Sequence, residues 1–224
     1  METVIISLGG SLIVPSGVDV NFLKKFRQLI LRHIRNKKFI IISGGGKTCR
    51  VYQKAAAKIT KLTDEDLDWL GIHATRLNAH LLRTIFRDYA YPKVIRNPNE
   101  KIRLNKPLLI AAGYKPGCST DHDAVSLAKN LGVKTLLNLT NTDYVYDKDP
   151  NKYKDAKPLN DMKWKEYRKI AGNKWDPGLN LPFDPVAAKE AEKLKLKVVI
   201  MNGKNIKNLD DFLNGRSFKG TVIQ

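Results

Sequence analysis

The chain has little of what a disulfide scaffold, a membrane protein or an acidic disordered tail requires. Only two cysteines, Cys49 and Cys118, occur in 224 residues. That is too few for a disulfide framework and lacks the paired spacing of a zinc site, so reduced thiols are expected. No apolar run approaches the roughly 20 residues of a membrane span; Val4 to Ile6 and Lys38 to Ile42 stop after a few positions. Glu2 stands where a secretory leader wants positive charge, and the first apolar stretch ends at Gly9-Gly10, so a cytoplasmic protein with no membrane partner is expected.

Acidic residues are scarce too. Against 40 Lys and Arg there are 22 Asp and Glu, for a net charge of +18. This excludes an acidic solvating segment, and with 42% hydrophobic residues the chain is long enough to bury roughly 70% of its unfolded surface in one domain. The cations are dispersed: seven lie between Lys24 and Lys38 without an acid, but later stretches interleave both signs. Dispersion of this kind is weaker evidence for nucleic-acid binding than one concentrated arm; an anionic small substrate or a polyanion-rich cytoplasm fits equally well, and no specific nucleic-acid partner is expected.

Three common signatures are missing. Gly46-Lys47-Thr48 lacks the glycine five positions earlier that a Walker loop needs, since Ile41 stands there. No G-x-G-x-x-G and no G-x-S-x-G occurs, which removes the dinucleotide fingerprint and the hydrolase elbow. The four histidines form no constellation: His73 and His80 are two helical turns apart, His33 lies among basic residues, and His122, between Asp121 and Asp123, is expected on a solvated loop.

What is present alternates strand and helix. Thr3 to Leu8 predicts a strand closed by Gly9-Gly10, then Asp19 caps a helix carrying Leu23, Phe26, Ile30 and Ile34. Lys38 to Ile42, Gly44-Gly45-Gly46 and a helix over 47–59 repeat the pattern. A longer helix over 63–88 places Leu67, Leu70, Ala74, Leu77, Leu81 and Ile85 on one stripe, as for packing against another helix. Strands follow at 108–111, 135–139, 198–201 and 221–223, and helices at 121–131, 163–171 and 184–195, with a polar loop or hairpin over 140–150. This order predicts an α/β fold, a doubly wound and mainly parallel sheet with helices on both faces and ligands beyond the carboxyl ends of the strands.

Both glycine clusters leave a strand there and precede a helix, which suits a phosphate. Taken singly, Asp68 could complement a helix dipole, Arg50 could be a solvated charge and 143–150 a turn-rich hairpin. Together they gather cations, amide donors and carboxylates at one sheet edge, as phosphoryl transfer requires.

Six motifs in order then resemble the amino acid kinase superfamily, and within it the uridylate (UMP) kinases of the archaeal type. They are Leu8-Gly9-Gly10-Ser11; Gly44-Gly45-Gly46-Lys47 with Arg50; Asp68 to Ile72 leading to Thr75 to Ala79; Pro116 to Asp121; Thr140 to Asp143 with Val145-Tyr146 and Asp149-Pro150; and Asp184 to Lys189. The resemblance covers the whole chain. It implies an amino acid kinase-like domain over 1–224, with an acceptor-binding half to about 132 and an ATP-binding half from about 133. Gly10, Ser11, Gly46 and Arg50 would contact ATP phosphates, with Thr140, Asn141, Tyr146 and Asp149 on the adenosine side. Gly45, Asp68, Tyr114, Lys115, Pro116, Gly117, Cys118, Ser119 and Thr120 would hold UMP. Mg²⁺ would arrive with ATP, with no metal site of the protein's own, and copies of the chain would associate into a hexamer built from dimers. The sequence departs from the family at Ser7, where many members carry a lysine, at Tyr144, where glycine is usual, and at Asp121-His122-Asp123, which resembles the paired aspartates of glutamate kinases. Lys47, directly after Gly46, is expected to supply the missing cation as a catalytic residue beside Arg50. The alternatives are a kinase of the same fold with another small acceptor, and a catalytically impaired nucleotide- or RNA-binding regulator.

Overall fold

The computed structural model describes residues 1–150, 152–172 and 181–224. Its centre is β1 (Glu2–Leu8), which pairs in parallel with β2 (Lys37–Ser43) on one side and β4 (Thr135–Thr140) on the other. Beyond β2 lies β3 (Leu108–Ala111); beyond β4 lie β8 (Lys197–Asn202), β9 (Thr221–Ile223) and β7 (Asp161–Met162), giving the order β3-β2-β1-β4-β8-β9-β7. Within this seven-stranded sheet every pairing is parallel except that of β8 with β9. The chain runs outward from β1 through β2 to β3, then returns to the other flank of β1 as β4. The switch in direction therefore falls between β1 and β4, where ligands of open α/β sheets bind.

Continuous apolar strands arise because both faces are covered. Val4, Ile6, Leu8, Phe39, Ile41, Leu137 and Leu139 face one core. On that side lie α1 (Gly10–Ile13), α2 (Val20–His33), α4 (Asp64–Ile85) and α8 (Ile206–Leu213), through Leu12, Phe26, Leu82 and Leu209. Ile5, Ile40, Ile42, Leu109 and Leu136 face the other core, covered by α5 (Thr120–Leu131), α6 (Trp164–Ala171) and α7 (Pro185–Lys193). Asp19 caps α2 as expected, accepting the Phe22 N–H at 2.9 Å. The 140–150 segment holds one strand of a hairpin, β5 (Val145–Tyr146), whose antiparallel partner β6 (Pro158–Leu159) lies beyond it.

One periodicity was misleading. Of the apolar stripe expected on α4, Ala74 alone is buried, and Leu77 is 62% exposed. The inward face carries Ile72, Thr75, Asn78, Ala79 and Leu82 instead. Its polar members have partners: Asn78 Nδ2 donates to the carbonyls of Gly44 at 2.8 Å and Gly45 at 3.2 Å. Ser43 Oγ donates to the Thr75 carbonyl at 2.9 Å, and Thr75 Oγ1 accepts the Gly113 N–H at 2.8 Å. α4 faces loop backbone at this end, so hydrogen bonding outweighs apolar packing. α3 (Gly46–Ala57) packs beside α4 at the same end and buries little besides Gly46.

The loops after β1 and β2 touch. A Cβ added at Gly10 would lie 2.1 Å from the Gly46 nitrogen and 2.6 Å from the Gly44 carbonyl carbon, contacts no backbone can relieve cheaply. Gly10→Ala is expected to cost at least about 2 kcal/mol in urea unfolding. Gly17, with nothing within 4 Å of its virtual Cβ, is the control, and Gly17→Ala should stay within about 0.5 kcal/mol.

Candidate active site

At the switch point a cleft of about 660 Å³ opens between the two glycine loops, α4 and the start of α5. Ser11, Gly45, Gly46 and Arg50 form one wall. Gly46 has φ +64, a left-handed conformation that glycine adopts without strain, and it opens the first turn of α3. A second hollow of about 710 Å³, lined by Tyr144, Tyr146, Asp149, Lys169 and Pro182 among others, adjoins the first. Thr140, Asn141 and Leu181 line both. The site is thus two compartments meeting at the end of β4.

The far wall of the first compartment is the 113–119 loop, and α4 fastens it at successive points. Beside the Thr75 bond to Gly113, Arg76 donates to the Tyr114 carbonyl at 3.0 Å. The Asp68 carboxylate accepts the Gly117 N–H at 2.7 Å, with Gly117 at φ +78. Cys118, Ser119 and Thr120 line the cleft directly. Ser119 also caps α5, its Oγ accepting the His122 N–H at 3.1 Å.

Beneath the cleft floor lies a buried polar knot. Ser7 Oγ donates to Asp121 Oδ1 at 2.9 Å, and Asp121 Oδ2 accepts the Asp184 N–H at 3.2 Å. Asp184 caps α7 by accepting the Ala187 N–H at 2.6 Å. Its neighbour Phe183 is gripped by Tyr167, whose hydroxyl donates to the Phe183 carbonyl and accepts the Phe183 N–H. Burial pushes the Asp121 carboxyl up to about 7, against the hydrogen bond from Ser7. Burial likewise carries Asp123 to about 7, opposed by the Tyr114 N–H. Asp184 is also raised by burial, with hydrogen bonds from Ala187 and Ser119 resisting.

Of the residues singled out in the sequence, Ser11, Gly45, Gly46, Arg50, Asp68, Cys118, Ser119, Thr120, Thr140 and Asn141 gather in the first compartment, and Tyr146 and Asp149 in the second. Gly10 acts through its contact with Gly46. Tyr114, Lys115, Pro116 and Gly117 belong to the loop behind the wall, not to the lining residues. Lys47 is not brought in. Its N–H donates to the Val14 carbonyl at 2.9 Å, and its exposed side chain borders a separate hollow with Val51, Lys54 and Lys58. Only Arg50 borders both that hollow and the main cleft. His122 is a correction: it sits in the first turn of α5 with Nδ1 buried, not on a solvated loop. Gln53, Thr75, Asp121 and Asp184 line the cleft without having been assigned a role from sequence. For the two aspartates the available signal was helix-start position, which on its own reads as capping.

The raised carboxyls make stability depend on pH. Unfolded, Asp121 and Asp123 ionise near 3.8; folded, they hold their protons to about 7. Between those values the native state binds more protons, so their contribution is full below the lower value and is lost as pH rises to the upper one. Relative to Asp121→Asn, the wild type is therefore expected to lose urea stability steadily between about pH 4 and pH 7. A wild type that gains on the variant over that range would contradict the assignment.

Residues 2–202 match the model of the amino acid kinase family. The chain is 33% identical to the uridylate kinase of Thermoplasma volcanium over 226 residues, covering 100% of this chain and 98% of that protein. It is 34% identical to the uridylate kinase of Thermococcus kodakarensis, covering 99% of each. The crystal structure of uridylate kinase from Archaeoglobus fulgidus superposes with a TM-score of 0.85 at 29% identity over 100% of both chains. UMP kinase from Bacillus anthracis shares the fold, with a TM-score of 0.79 at 20% identity, over 100% of this chain and 96% of that one. The match spans both the strands that create the switch point and the loops that leave them, and the chain belongs to the amino acid kinase family, on its archaeal uridylate kinase branch.

Proposed function

We propose that the protein transfers the γ-phosphoryl group of ATP to UMP, giving ADP and UDP, in pyrimidine nucleotide supply in the cytoplasm. The observation that carries this reading is the pair of adjoining compartments, one walled by Asp68 and the Cys118–Thr120 segment and one by Tyr146 and Asp149, meeting at Thr140 and Asn141. UMP occupies the first and adenosine the second, so the acceptor half of the chain extends to about residue 132 and the ATP half follows. The attacking atom is a phosphate oxygen already ionised at neutral pH, and no general base is needed. Catalysis then consists of alignment and charge neutralisation. Among the described residues Arg50 is the cation that lines the first compartment, and Lys148 and Lys169 line the second. Mg²⁺ arrives with ATP and supplies charge neutralisation on its phosphates; the carboxylates of Asp121 and Asp184, both lining the cleft, are oxygen donors of the kind it accepts. The exposed Leu77 and Trp69 on the outer side of α4 support association of copies of the chain, as dimers within a hexamer.

The test is ADP formation from MgATP with UMP, CMP, dUMP, glutamate or isopentenyl phosphate as acceptor. UMP is expected to be strongly preferred. Turnover of glutamate or isopentenyl phosphate without UMP would instead assign another acceptor, and ATP or UMP binding without turnover a regulator. Asp68→Ala is expected to raise the UMP KM by ~10–100-fold with a smaller change in kcat, because its contacts are to a part of the substrate that does not react. Arg50→Ala should lower kcat by ~10²–10³, whereas Lys47→Ala, directed away from the cleft, should stay within about threefold.

A further inference from the structure

Three side chains to which the proposed phosphoryl transfer gives no chemical step meet at the start of α5. Sγ of Cys118, an imidazole nitrogen of His122 and a carboxylate oxygen of Asp123 lie within 4.8 Å of one another. Asp123 is 1% exposed. Its Oδ2 accepts the Tyr114 N–H at 3.0 Å, while Oδ1, equally buried, has no hydrogen-bond partner. His122 Nδ1 is buried and unpartnered as well. Such atoms lose their hydration without a hydrogen bond to replace it, and native interiors contain few of them. Two orphaned acceptors beside a thiol are a ligand set lacking its acid.

We propose that Cys118, His122 and Asp123 bind one thiophilic divalent cation of the Zn²⁺ class, with the fourth coordination position open. The donors select the class. Sulfur, imidazole and a single carboxylate suit zinc, whereas Mg²⁺ and Ca²⁺ take oxygen ligands alone. A tetrahedral zinc with bonds of about 2.0–2.3 Å spaces its ligands roughly 3.3–3.8 Å apart, so side-chain rotations of about 1 Å close the site. The bond from Tyr114 to Oδ2 fixes the carboxylate and leaves Oδ1 as the ligand atom, the arrangement by which an outer partner orients a metal-binding group. A cation at the N-terminus of α5 opposes the helix dipole. On ligation, however, Cys118 releases its thiol proton to solvent, and its thiolate together with the Asp123 carboxylate balances the two positive charges. Cys118 also lines the acceptor compartment, so the bound cation ties the 113–118 loop to α5. The site rests on these three side chains and holds whichever acceptor the enzyme uses.

Cobalt titration of the reduced, metal-free full chain tests it. One Co²⁺ per chain is expected, with a thiolate-to-cobalt charge-transfer band in the near ultraviolet that Zn²⁺ abolishes by displacement and Mg²⁺ does not. Cys118→Ser should eliminate the band, His122→Ala and Asp123→Asn should weaken binding at least ~10-fold, and Cys49→Ser should leave it intact. Cys118 and His122 are partly exposed, so their variants fold even if Asp123→Asn does not. In parallel, Zn²⁺ should slow alkylation of Cys118 in the wild type. Absence of the band, its survival in Cys118→Ser, unchanged affinity in His122→Ala, or no protection of Cys118 by Zn²⁺ would overturn the proposal.

Discussion

The contact between the backbones of Gly10 and Gly46 is the constraint on which the rest of the site depends. Two neighbouring parallel strands place their carboxyl ends about 4.8 Å apart, and the loops leaving them can touch only if nothing projects between them. Glycine at both positions permits this, with a virtual Cβ at Gly46 falling 2.3 Å from the Gly10 carbonyl oxygen. The short helix after Gly10 and the longer one after Gly46 then diverge from a common point. Ser11 and Arg50, one on each, are directed at the same volume.

Helix α4 converts that local contact into a complete pocket. Its inner face bonds to both sides of the cleft: through Asn78 to the loop after β2, and through Thr75, Arg76 and Asp68 to the loop after β3. One rigid element thereby sets the width between the glycine loops and the 113–119 wall. On the opposite face of the sheet Tyr167 performs a similar task for Asp184, holding both backbone groups of the preceding residue. The floor of the cleft and its wall are thus positioned by separate layers of the fold.

Much of this was legible in the sequence because it was written in strong local signals. Buried parallel strands read as apolar runs, both glycine clusters follow such runs, and Asp19 precedes an amphipathic helix. The inner face of α4 was not legible in the apolar periodicity, since that counts apolar residues and the inward positions include Thr75 and Asn78; the motif over 75–79 marked these residues without saying which way they face. The two-residue strands β6 and β7 are too short to show any period. The link between Ser7 and Asp121 spans 114 positions, and neither residue signals a partner on its own. The membership of Cys118, His122 and Asp123 in one cluster was likewise hidden, because a lone cysteine and a lone histidine match no spacing rule until a helix turn and a loop bring them together.

Lys47, Arg50, Lys54 and Lys58 form a cationic strip along the outer side of α3, ending at the mouth of the cleft. On a chain of net charge +18, this strip extends a positive potential into solvent over about 8–10 Å at moderate salt. On the proposed reading, a nucleotide diffusing past would meet that potential before the site and be drawn along the helix toward Arg50. The strip's contribution would then be to the frequency of arrival, which ionic strength can tune while leaving the bound geometry and the chemical step unaltered.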